Sequence, residues 1–96
     1  YIGNSYLYLK DYSNAINYYE KGIEINSNDC DILNNYGVVL AKINKIEEAK
    51  KYFNKALKIN SKHKTAKYNI DNLNSLNIEG LYIEDSLRNL LETIML

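Results

Sequence analysis

Sliding the chain against itself by 34 residues brings its small and apolar positions into coincidence. At that offset Gly3 meets Gly37, Ala15 meets Ala49, Tyr18 meets Tyr52 and Lys21 meets Lys55. Ile25-Asn26-Ser27 meets Ile59-Asn60-Ser61, and between these Tyr19 meets Phe53, Gly22 meets Ala56 and Ile23 meets Leu57. The coincidences fall where packing sets residue size. A block repeating on this scale buries its apolar face against the next block, giving a continuous seam. That matters because 96 residues make only a marginal core as one compact unit.

The second block shows what each unit contains. Ile32, Leu33, Tyr36, Leu40 and Ile43 recur at helical spacing. Asp29 or Asp31 can cap the start of that helix. Asn44-Lys45 reads as a tight turn. Ile46, Ala49, Phe53, Ala56 and Leu57 then form the inward stripe of a second helix, with Phe53 filling the space that Ala49 and Ala56 leave. Lys51, Lys55, Lys58 and Lys62 fall on the opposite, solvated face, and Glu47 and Lys51 are spaced for an i,i+4 pair. The chain has no proline and four glycines, so helices run uninterrupted. Two helices joined by so short a turn make an antiparallel hairpin.

This period and pattern resemble the tetratricopeptide repeat. The family's signature positions fall on Leu33, Tyr36, Gly37, Leu40, Ala49, Phe53 and Ala56, and in the first unit on Ile2, Gly3, Tyr6, Tyr12, Ala15, Tyr19 and Gly22. The family's usual proline near the end of a unit is Ser27 and Ser61 here. The resemblance implies an all-α fold, with antiparallel helix-turn-helix repeats stacked as a short right-handed superhelix, an α-solenoid. The expected units are a truncated first repeat over 1–29, a second over 30–63, and a degenerate third repeat or capping helices over 64–96. In that last part, 64–77 reads as a helix with Ala66, Ile70 and Leu73 on one face, although Asp71 replaces the signature glycine. Asn77–Gly80 reads as a loop. Residues 82–95 read as helical again, with Ile83, Leu87, Leu90, Leu91 and Ile94 on one face, and Glu84 and Asp85 in its first turn. Tyr1 is not an initiator Met and falls inside the pattern of a first helix, so upstream residues are expected in a longer parent.

Composition excludes several roles. The formal net charge is zero, which argues against a general nucleic-acid binder, although it is unevenly spread: −2 over 1–30, +6 over 31–67 and −4 over 68–96. Cys30 is the one cysteine, so no internal disulfide marks the chain as secreted, and the cytoplasm is the expected compartment. No apolar run approaches the ~18–20 residues of a membrane span.

Chemistry is hard to find. Cys30 and the one histidine, His63, lie at equivalent places in successive units, too far apart for a nucleophile and its base. No second Cys or His completes a metal site, and Gly3 and Gly37 serve close helix approach rather than phosphate binding. Neither an enzyme nor a cofactor is expected. Tyr12, Tyr19, Tyr36 and Tyr52 read as core; Tyr8, near the end of the first helix, suits either core or binding.

The resemblance places a partner protein or peptide in a concave groove lined by the first helix of each unit. By position that groove holds Asn4, Leu7 and Tyr8 from the first unit. The second unit adds Asp31, Asn34, Asn35, Val38 and Lys42, and the third Thr65, Tyr68, Asn69 and Asn72. An asparagine amide both donates and accepts, so it can grip a peptide backbone without reading its side chains. A subset of the family clamps the C-terminal carboxylate of heat-shock chaperones with two asparagines and three basic residues. Asn4 and Asn35 stand at the asparagine positions, but Thr65 and Asn69 stand at two of the basic ones and cannot neutralise a carboxylate. The leading expectation is a protein-interaction scaffold. The alternatives are a structural segment that self-associates through exposed repeat faces, and a non-catalytic domain of a larger enzyme.

Overall fold

The computed structural model describes residues 2–84. Its helices are α1 (Ile2–Tyr8), α2 (Tyr12–Ile25), α3 (Cys30–Lys42), α4 (Ile46–Ile59) and α5 (Lys64–Asn74). A 3-10 turn, Ile78–Gly80, follows, and then an extended run over 81–84. Helices α1 and α2 form one hairpin and α3 and α4 the next, with α2 packed on α3 and α4 on α5. The described residues thus form two stacked helical hairpins followed by a further helix, an all-α arrangement that fits a solenoid. No described helix is long and apolar enough to cross a membrane.

The caps recur with the repeat. Asp29 accepts the amides of Asp31 and Ile32 at the head of α3, and the His63 ring accepts that of Ala66 at the head of α5. Two residues beyond each first helix stands a residue with positive φ: Lys10 at 58°, Asn44 at 67° and Leu76 at 57°. Around each, the same two backbone bonds close the helix: Asp11 N to Tyr6 O with Lys10 N to Leu7 O, Lys45 N to Leu40 O with Asn44 N to Ala41 O, and Asn77 N to Asn72 O with Leu76 N to Leu73 O. The third unit thus turns as the first two do, even with leucine in the left-handed position.

Inside each hairpin an aromatic ring sits against a glycine. A Cβ on Gly3 would lie 2.7 Å from the Tyr19 ring, and one on Gly37 would lie 2.6 Å from the Phe53 ring. Phe53, Ala49 and Ala56 are fully buried, as the stripe of small and large residues requires. Helix α3 is buried along its whole middle, Ile32 to Ala41, because α2, α4 and α5 all pack on it. The lysines 51, 55, 58 and 62 are exposed as expected. Glu47, however, pairs with Lys50 at 4.0 Å rather than with Lys51.

The third unit departs from expectation after its turn. Residues 82–84 lie outside any helix, Glu84 included. Counting from the left-handed residue of each turn, Leu81 stands where Ala15 and Ala49 stand in the first two units. Those alanines have no exposed surface, so a leucine cannot occupy the same place against a first helix. Asp71 also removes the glycine that would admit an aromatic ring. The second helix therefore stops after one 3-10 turn. The rest of the expected terminal helix, residues 85–96 with Leu87, Leu90, Leu91 and Ile94, lies outside the described residues.

Candidate functional site

The face expected to be a groove carries four buried asparagines: Asn4 on α1, Asn34 and Asn35 on α3, and Asn69 on α5. Four unsatisfied buried amides would be costly, at about 1–3 kcal/mol for each orphaned group. The chain satisfies them with its own extended run. Asn69 pairs with both backbone groups of Tyr82: its Nδ2 donates to Tyr82 O at 2.7 Å and its Oδ1 accepts from Tyr82 N at 2.8 Å. Asn35 does the same two residues on, donating to Glu84 O at 2.9 Å and accepting from Glu84 N at 2.7 Å. Asn34 adds a donor to Tyr82 O at 3.1 Å, and Asn4 adds one to Glu84 O at 2.9 Å.

The amides also hold one another. Asn69 Nδ2 donates to Asn34 Oδ1 at 2.8 Å, Asn34 Nδ2 to Asn35 Oδ1 at 3.1 Å, and Asn35 Nδ2 to Asn4 Oδ1 at 3.0 Å. The Tyr19 hydroxyl closes the row by donating to Asn4 Oδ1. Among the described residues no buried side-chain nitrogen or oxygen lacks a partner. The result is a rigid row of amides whose remaining donors and acceptors face an extended backbone at every second residue, the spacing at which such a backbone repeats its direction.

Side chains of the run alternate accordingly. Leu81 is buried and Ile83 half-buried against the core. Tyr82 lies with its ring centroid 5.4 Å from that of Tyr68, and the Glu84 carboxylate accepts from the Thr65 hydroxyl. Gly80 lets the turn before the run come close: a Cβ there would sit 2.5 Å from the Asn77 amide nitrogen and 2.9 Å from Asn72 Oδ1. Asn77 in turn donates to Asn72 at 2.8 Å. Leu7, Tyr8, Val38 and Lys42 line one side of a cleft of about 460 Å³, whose other side is Ile78, Leu81, Tyr82 and Ile83. Leu7 and Val38 are its buried floor, and Tyr8, 59% exposed, stands at its rim.

All twelve residues expected in the groove thus lie on or beside one face. Asp31 bonds across to the third unit instead, accepting from His63 Nε2 at 2.8 Å. Because His63 Nδ1 accepts from the Ala66 amide, the ring proton sits on Nε2 when the imidazole is neutral. One oxygen each of Asp31 and Glu84, with a His63 nitrogen, fall within 4.8 Å of one another. This grouping escaped a sequence reading that sought a second Cys or His. With one ring nitrogen capping α5 and the other bonded to Asp31, the imidazole offers no lone pair outward, and the arrangement works as a clip between the second and third units.

Cys30 donates weakly to Ala56 O at 3.6 Å. Burial, with Asp31 and Asp29 nearby, raises its pKa, the opposite of what an activated thiol needs. The role of 81–84 was also missed by sequence reasoning. The signal for it in the sequence was Gly80, where the turn before the run comes close to Asn72 and Asn77.

Two family models described as tetratricopeptide repeat match this chain, one over residues 1–29 and one over residues 18–51. Sperm-associated antigen 1 of Rattus norvegicus is 38% identical over 69 residues, a stretch that covers 72% of this chain and 8% of that protein. The chain therefore spans a small part of the relative it matches. No solved structure matches it. With hairpins, glycine–aromatic contacts and turns all recurring in step with the repeat, the chain belongs to the tetratricopeptide repeat family.

Proposed function

We propose that the face formed by α1, α3 and α5 binds an extended segment of a partner protein by its backbone. Tetratricopeptide repeats are in general protein–protein interaction modules. The observation that carries the narrower reading is the double pairing of Asn69 with Tyr82 and of Asn35 with Glu84. These amides address peptide groups rather than side chains, so their geometry suits any extended chain in that register. Tyr8 and Lys42, at the rim of the adjoining cleft, supply an aromatic and a cationic contact for a partner's side chains. The missing cations at Thr65 and Asn69 remove the case for a terminal carboxylate as the anchor.

The test is a titration with a capped peptide copying residues 79–85, followed by amide chemical shifts of the protein. The backbone reading expects N-methylation at the peptide's tyrosine or first acidic residue after it to weaken binding about tenfold, since each removes a donor that Asn69 or Asn35 accepts. N-methylation at the intervening isoleucine, whose amide points the other way in an extended chain, is expected to change little. Equal effects at all three positions would overturn backbone recognition.

A further inference from the structure

We infer that Leu81–Glu84 is a built-in occupant that closes the groove, and that a partner segment enters by replacing it in the same register. That segment then carries apolar side chains where Leu81 and Ile83 stand and an acidic one where Glu84 stands. This rests on the peptide-binding reading above and adds to it how access is controlled and what the partner looks like.

Three features carry the inference. The pairing is exchangeable, because every bond from Asn4, Asn34, Asn35 and Asn69 to the run goes to a backbone group of Tyr82 or Glu84. An incoming backbone makes the same bonds at no loss. The occupant is tethered, since Tyr82 follows the end of α5 at Asn74 by a short turn. A short tether gives a high effective concentration, so the closed state dominates until a partner competes. The side-chain places are also defined: Leu81 is buried, Ile83 packs on the core, and the Glu84 carboxylate meets the Thr65 hydroxyl. A partner that fills these places recovers what the displaced run gives up. The cleft between Tyr8 and Lys42 and the run offers room for an incoming chain to land first.

The experiment compares the wild-type chain with an open variant, Tyr82→Pro/Glu84→Pro. Each proline removes an amide donor that Asn69 or Asn35 accepts, and neither position lies in α1–α5. Leu81 already has φ −77° and ψ 138°, as a residue before proline prefers, so a proline at 82 fits the backbone that precedes it; the pair of substitutions also takes the Tyr82 ring from Tyr68 and the Glu84 carboxylate from Thr65, which releases the run further. Helix content by circular dichroism checks that the repeats stay folded. The probe is the capped peptide copying residues 79–85. The open variant is expected to bind it about tenfold or more tightly than the wild type, because apparent affinity scales with the fraction of open groove. A version with serine at both apolar positions is expected to bind the open variant at least about tenfold more weakly. Equal affinity of wild type and open variant would overturn the closure while leaving the groove reading intact. No binding to either at millimolar peptide would sink the groove reading itself. A wild-type dimer that becomes monomeric in the open variant would also overturn the inference, because the run would then sit in a second copy.

Discussion

Replacing Gly37 by alanine tests whether the glycine–ring contact sets the spacing of the second hairpin, and with it the position of the groove asparagines. The added Cβ would meet Phe53 Cε1 at 2.6 Å, Cδ1 at 2.8 Å and Cζ at 3.0 Å. Phe53 has no exposed surface, so the ring has nowhere to swing. Overpacking of this kind costs ~1–3 kcal/mol, here toward the upper end because three ring atoms are involved. Alanine is a better helix former than glycine by ~0.8–1 kcal/mol, which offsets part of it. The net expectation is a loss of about 1–2 kcal/mol, or a melting temperature lower by roughly 5–15 °C for a domain of this size. Gly22→Ala is the control. Its Cβ would be tight against Cδ1 of Ile32 at 3.0 Å, a side-chain end that can rotate away, and in ordinary contact with Cγ2 at 3.5 Å and Cγ1 at 3.9 Å. That variant is expected to melt within about 0.5 kcal/mol of the wild type or above it. Thermal melts by circular dichroism measure both. A double-mutant cycle with Phe53→Leu should show a coupling of at least about 0.5 kcal/mol, because the smaller side chain makes room for the Cβ. If Gly37→Ala melts at or above the wild type, or couples to nothing at Phe53, the contact does not set the spacing.

Further outcomes follow from the same structure. Asn69→Ala removes the acceptor of the Tyr82 amide, one of the two donors to the Tyr82 carbonyl and a donor to Asn34, so it should cost ~1–3 kcal/mol in urea unfolding and speed amide exchange at Tyr82. Burial, with Glu20, Tyr52 and Glu48 nearby, pushes Tyr36 up to about 12. Its contribution to stability is therefore complete below pH ~10, where tyrosine ionises in the unfolded chain, and is lost as pH rises toward about 12. Unfolding followed over that window should show this loss in the wild type and less of it in Tyr36→Phe. Cys30, with its thiol pKa raised, should react with iodoacetamide more slowly than a free peptide thiol at pH 8, and urea should abolish the difference.

The repeat, its hairpins and its core were legible in the sequence because each rests on local spacing. Gly3 with Tyr19 and Gly37 with Phe53 announce close helix approach by size alone, and Asp29 announces a cap by its chemistry. That Asn4, Asn34, Asn35 and Asn69 share a face followed from their position in the repeat. Their covering did not: Ile83, Leu87 and Leu90 are spaced as a helix would space them, and periodicity cannot say whether a neighbour has room for that helix. Tertiary structure decided the matter at residues 81–84. Leu81 is too large for the place Ala15 and Ala49 fill, and four buried amides on α1, α3 and α5 needed backbone groups from distant residues. Period and residue size determined the scaffold. Only its assembly revealed that this scaffold holds its own chain, because hydrogen bonds between residues as far apart as Asn4 and Glu84 leave no mark on local pattern.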